Sequence, residues 1–94
     1  MAFLNLNKIL ASSCRRKILK ALSEKGKIQM MKLVRTVNST YNEVDRNLRI
    51  LEREGFVSQR HSGRKRIIRL NITDEKTLVL LKILKLRGEA VDLI

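Results

Sequence analysis

Residues 38–57 read NSTYNEVDRNLRILEREGFV, and the joint at the front of this stretch decides the fold. Asn38-Ser39 is a tight turn in which Asn38 can take the left-handed conformation that most residues resist. Thr40-Tyr41-Asn42-Glu43 is a capping box: the Thr hydroxyl can accept from the third helical N–H while Glu43 reaches back to the cap. A helix then runs to Glu54 and is stopped by Gly55. Just before the turn, Met30, Leu33, Val34 and Val37 repeat at i, i+3, i+4, i+7, which predicts a helix of about two turns. A two-turn helix, a three-residue turn and a longer helix make a helix-turn-helix.

On the amino-terminal side, Ser12 or Ser13 caps an earlier helix that runs to about Lys25, with Cys14, Ile18, Ala21 and Leu22 as its buried stripe. Gly26 ends that helix, and Lys27-Ile28-Gln29 reads as a short extended piece. On the other side, Phe56 to Arg60 and Arg66 to Leu70 are rich in strand formers. His61-Ser62-Gly63-Arg64-Lys65 between them reads as a hairpin loop placed around Gly63. Thr73 caps a last helix, with Asp74 and Glu75 suited to its positive amino end. The predicted order is α-β-α-α-β-β-α: a mainly α fold with a small β-hairpin, the winged helix-turn-helix. The 94 residues suit one such domain, residues 1–94.

The helix after the turn has two faces. With Val44 as zero, Leu48 and Leu51 fall within about 40° of it, which is the core side. Asn42, Arg46, Arg49 and Arg53 fall within about 40° of the opposite direction. Arg can fork onto guanine O6 and N7, and Asn onto adenine N6 and N7, so the outer stripe suits base-edge recognition in a major groove. A solvated helix face is the plainer reading, but the place directly behind a helix-turn-helix joint favours DNA. Asp45, at the edge of the stripe, would repel phosphate; it can hold Arg49 one turn on or accept from cytosine N4, and the pairing is preferred. Thr40 and Tyr41 open the helix where phosphates pass. Tyr41 can bond one or pack beside Val44.

The hairpin supplies a second contact. Arg64, Lys65 and Arg66 crowd a Gly63 tip, with Arg60 and His61 just ahead of them. Basic residues also protect exposed strand edges, but three consecutive cations at a turn exceed that need. Backbone phosphates or the minor groove are the expected partners. Charge supports this throughout. Twenty-one Lys and Arg face nine Asp and Glu, a formal net charge of +12. From Lys8 to Val37 there are nine basic residues and one acid, Glu24; from Arg60 to Arg69 there are five and none. A folded chain tolerates such self-repulsion most easily beside a polyanion.

Together these segments resemble the ArsR-type winged-helix repressors, with the MarR-like families second. LASSCRRKILKAL (Leu10 to Leu22) is similar to the family's first core helix, with Leu10, Arg15, Ile18, Leu19 and Leu22 in matching places. EVDRNLRILEREGFV (Glu43 to Val57) is similar to its recognition helix and exit into the wing, through Val44, Arg46, Leu48, Arg49, Leu51, Gly55, Phe56 and Val57. The resemblance covers roughly residues 8 to 70 and implies double-stranded DNA as partner. Many such proteins sense metals through Cys and His clusters. This chain has only Cys14 and His61, in different elements, so it departs from that pattern. No metal site and no cofactor are expected.

The last helix is apolar around more than half of its circumference, through Val79, Leu80, Leu81, Ile83, Leu84 and Leu86. A helix of that kind must be buried on two sides. Phe3, Leu4, Leu6, Ile9 and Leu10 at the other end also exceed what a lone segment can hide. Pairing of the terminal segments, about 1–11 and 73–94, would bury both in a homodimer, with Phe3, Leu6, Leu80, Ile83 and Leu84 at the interface. The competing arrangement has the two ends covering each other within one subunit.

Other classes find little support. No nucleophile–base pairing, phosphate loop or ligand cluster points to an enzyme. No apolar run approaches the ~20 residues that span a bilayer. The amino terminus has no basic leader and a single cysteine forms no internal disulfide, so a cytoplasmic protein without membrane contact is expected. The expected function is sequence-specific regulation by a DNA-binding dimer. The alternatives are non-specific architectural or chromatin DNA binding, and an RNA-binding or protein-docking winged helix.

Overall fold

The structure, a computed structural model, describes residues 6–86. It opens with α1 (Leu6–Leu10), a five-residue helix that the sequence does not announce because so short a turn has no periodicity to read. The expected elements then follow in order: α2 (Ser13–Lys25), β1 (Lys27–Gln29), α3 (Met30–Val37), α4 (Tyr41–Arg53), β2 (Val57–Ser62), β3 (Lys65–Leu70) and α5 (Glu75–Leu86). The strands form one antiparallel sheet in the order β1-β3-β2, so the hairpin is extended by the short piece ahead of α3. The winged helix-turn-helix reading holds.

Local chemistry sets the boundaries. Ser12 caps α2 by accepting from the Arg15 N–H at 3.2 Å, and Thr40 caps α4 by accepting from the Glu43 N–H at 3.1 Å. Asn38 takes the left-handed conformation, φ 54° and ψ 52°, which ends α3 and opens the turn. The second half of the expected capping box is different, since the Glu43 carboxylate accepts from the Ser39 hydroxyl. At the last helix Asp74, not Thr73, is the cap. The Asp74 side chain accepts from the Lys76 N–H at 3.0 Å, while the Thr73 hydroxyl turns to Asn71. A carboxylate is the stronger acceptor at a helix's positive end, which explains the shift by one residue.

Val44, Leu48 and Leu51 of α4 are fully buried against Ile18, Leu19 and Leu22 of α2, and Ile28, Ile68 and Leu70 close the core from the sheet. The terminal elements also belong to this core. Leu6, Ile9 and Leu10 of α1 and Leu80, Leu81 and Leu84 of α5 are buried within the single subunit. Leu6, Leu80 and Leu84 are therefore not free to form a dimer face, because contact with the rest of the chain already removes their surface from water. Ile83 is half-buried at the edge of the core, and Phe3 lies outside the described residues. Among the described residues, the large apolar side chains left exposed near α5 are Ile72, 57% exposed, and Leu78, 44% exposed.

One side chain ties this core to the helix-turn-helix. Arg15 donates from Nη1 to Asn47 Oδ1 at 2.8 Å, from Nη2 to the Lys8 carbonyl at 2.7 Å and from Nε to the Ile9 carbonyl at 3.2 Å. Asn47 in turn donates to the Glu43 carbonyl at 2.8 Å. The open carbonyls at the end of α1 are thus satisfied by the same guanidinium that seats α4.

Candidate nucleic-acid interface

The helix α4 presents the two faces expected of it. Asn42, Arg46, Arg49 and Arg53 are all exposed, opposite the buried Val44, Leu48 and Leu51. Thr40 is exposed at the same end, although its hydroxyl is already the helix cap. Tyr41 is 44% exposed, and its hydroxyl accepts from Arg66 Nη1 at 3.2 Å.

In the wing, strand register decides where each cation points. The strands pair His61 with Arg66, Arg60 with Ile67 and Ser62 with Lys65, leaving a two-residue turn of Gly63 and Arg64. The loop is shorter than the five residues expected from the sequence. Gly63 at φ 61° supplies the positive dihedral that a two-residue hairpin turn needs, so pairing continues to Ser62 and Lys65. Paired residues share a face and neighbours alternate. His61, Gln59 and Arg66 therefore face α4, while Arg60 and Lys65 face away from it and Arg64 stands at the tip.

Arg66 is the wing cation whose role differs from the expectation. It is not free for phosphate. Its Nη2 lies 2.7 Å from Asp45 Oδ1, and the two side chains are only 15% and 21% exposed. Its Nε donates to Gln59 Oε1 at 2.5 Å, and Gln59 donates to Glu52 Oε1 at 3.0 Å. Burial works against the Arg66 charge, but bonds to Asp45 and Tyr41 outweigh it and raise its pKa. The Arg66 hydrogen bond, followed by its charge and that of Arg49, lowers the Asp45 pKa below the usual carboxylate value. The pairing expected between Asp45 and Arg49 is present at 3.2 Å, with Arg49 71% exposed. Arg49 Nε makes that bond, and the side chain is otherwise largely exposed.

Asp45, Arg49, Glu52, Gln59, His61 and Arg66 line a shallow groove of about 360 Å³ between α4 and the wing. No local pattern signals the Asp45–Arg66 link, since residues 21 apart on different elements share no periodicity. Cys14 is half-buried against the core, and burial, then the nearby Glu43 carboxylate, pushes its thiol pKa up. Among the described residues, no cluster of three or more His, Cys, Asp or Glu is placed to hold a metal, and no helix is long and apolar enough to cross a membrane.

No family model matches the sequence, and no curated protein matches it either. Solved structures do. The AntR antimony-specific transcriptional repressor is 25% identical with a TM-score of 0.76, over 93% of this chain and 78% of that one. The transcriptional repressor BigR from Xylella fastidiosa is 21% identical with a TM-score of 0.76, over 90% of this chain and 84% of that one. The homodimeric winged helix-turn-helix DNA-binding domain of Mb0332 from Mycobacterium bovis, a possible ArsR-family transcriptional regulator, is 20% identical. It covers 94% of this chain and 79% of its own, with a TM-score of 0.75. AntR and BigR are thus transcriptional repressors, and Mb0332 is a possible transcriptional regulator. The resemblance to ArsR-type winged-helix repressors is borne out in the fold, and the MarR-like families are not needed to account for it.

Proposed function

We propose that this chain, built on the winged-helix frame of ArsR-type repressors, is a dimeric, sequence-specific regulator that binds double-stranded DNA. The observation that carries the reading is the exposed Asn42–Arg46–Arg49–Arg53 stripe on α4, standing directly behind the turn and beside a basic wing. Asn42, Arg46 and Arg49 read base edges in the major groove. Arg53, Arg60, Arg64 and Lys65 meet backbone phosphates, with Thr40, Tyr41 and His61 at the margins of the contact. Asp45 and Arg66 hold the wing to the helix and do not touch DNA.

The homodimer forms through what the subunit leaves uncovered near its ends, chiefly Leu78 and Ile72, with Ile83 at the margin. Two α4 helices then enter successive turns of the major groove. A cytoplasmic setting, in which Cys14 stays reduced, fits this role.

Binding-site selection from random duplex DNA, followed by salt titration on the selected sequence, tests the proposal. A palindromic consensus is expected, because a two-fold protein reads a two-fold site. With ~6–10 phosphates in contact, log K falls with log salt at about −0.9 per phosphate. A flat salt response overturns DNA binding. Steep salt dependence without a consensus overturns regulation in favour of architectural binding.

A further inference from the structure

The three strands contain no acidic residue at all, and their outward positions form a basic surface distinct from the groove beside α4. The register places Lys27 opposite Arg69, with Ser58 on the far side of Arg69. The next row is Gln29, Ile67 and Arg60, and nearest the tip come Lys65 and Ser62. We propose that this outward face binds the phosphates of duplex DNA flanking the segment that α4 reads.

Two features separate the surface from an ordinary solvated face. Like charges directly opposite across a strand pair destabilise a sheet, so the Lys27–Arg69 pair costs the free protein something. Among the described residues neither cation has a carboxylate partner, and both are exposed. Lysine on the edge strand β1 can be explained as protection against strand addition, but Arg69 sits on the central strand, where no edge needs protecting. An anion laid across the pair removes the repulsion. The surroundings suit one: Lys25 and Lys32 border Lys27 in one depression, and Ser58, Asn71 and Thr73 border Arg69 in another of about 560 Å³.

The position of the face selects the source of the phosphates. The hairpin stands between α4 and this surface, so base pairs seated on Arg46 and Arg49 cannot also reach Lys27. Arg69 lies about 13 Å back from Lys65 along β3. DNA running past the tip must therefore curve toward the protein to meet it, and cation–phosphate contacts offset the elastic cost of that curve. Flanking duplex is tethered to the bound segment, which gives it a high effective concentration at the face that a second DNA molecule lacks.

The proposal rests on α4 and the wing tip binding duplex DNA, and the test keeps the two readings apart. Affinity and salt slope are measured on labelled random-sequence duplexes of about 20 and about 50 base pairs, the shorter just covering two half-sites. The Lys27→Ala/Arg69→Ala double variant is compared with wild type, and Lys20→Ala/Lys82→Ala serves as a charge-matched control. On the longer duplex the double variant should bind about tenfold more weakly at moderate salt, with a slope shallower by about two. On the shorter duplex it should match wild type, and the control should show no dependence on length. Equal losses on both duplexes, or no loss on either, overturn the proposal. So does capture of two separately labelled short duplexes by wild type, which would make the partner a second molecule. Failure of wild type to bind the short duplex overturns instead the reading of α4.

Discussion

Asp45 of α4 and Arg66 of the wing meet at 2.7 Å, Oδ1 to Nη2, and their contact ties the helix to the wing, the two parts of the proposed DNA interface. Both side chains are largely shielded from water, so the pair is not the kind of exposed surface bridge that contributes little. The same carboxylate steadies Arg49 through its other oxygen. One residue thus holds the wing and steadies Arg49, the side chain proposed to read a base.

Replacing Asp45 with Ala should cost about 1–3 kcal/mol, since it leaves Arg66 half-paired in a poorly hydrated place. Urea denaturation measures this. The pH dependence follows from the lowered Asp45 pKa. A carboxyl more acidic in the folded state stabilises above its unfolded pKa, about 3.9, and loses that contribution as pH falls through the folded value. The gap between wild type and Asp45→Ala should therefore be constant near neutrality and narrow below about pH 4. A gap absent at neutral pH would remove the role assigned to the pair.

The helix and the wing should fail differently. Arg46→Ala and Arg49→Ala should each cost about 1–3 kcal/mol on the selected site and relax preference at one base pair. Arg64→Ala and Lys65→Ala should weaken selected and random duplexes alike and reduce the salt slope by about one per contact. Competition binding with both duplexes separates these outcomes. Equal weakening by the helix variants would make α4 a phosphate clamp.

Two leucines on α5 should give opposite results. Leu84 is fully buried in its own subunit, so Leu84→Glu places a charge in the core and should unfold the protein, at a cost of several kcal/mol. Leu78 is 44% exposed, and Leu78→Glu should leave a folded monomer with reduced DNA affinity. Circular dichroism and sedimentation read both. A wild type that sediments as a monomer at tens of micromolar would remove the dimer.

The sequence by itself determined whatever depends on neighbours along the chain. Thr40 could be assigned as a cap because capping is a bond over three residues, and it accepts from Glu43 as expected. The buried row Val44, Leu48 and Leu51 and the exposed row Asn42, Arg46, Arg49 and Arg53 follow from helical periodicity alone. Only the tertiary structure decided which polar groups meet across elements. Arg66 looked like any wing cation until strand pairing turned it toward Asp45, and Arg15 looked like one matching residue among many until packing brought it to Asn47. The same limit applied to α5. Its pattern demanded burial on more than one side, but a pattern records only how much surface must leave water. Whether Leu80 and Leu84 meet their own core or a second subunit depends on where the helix docks, and here it docks on its own core.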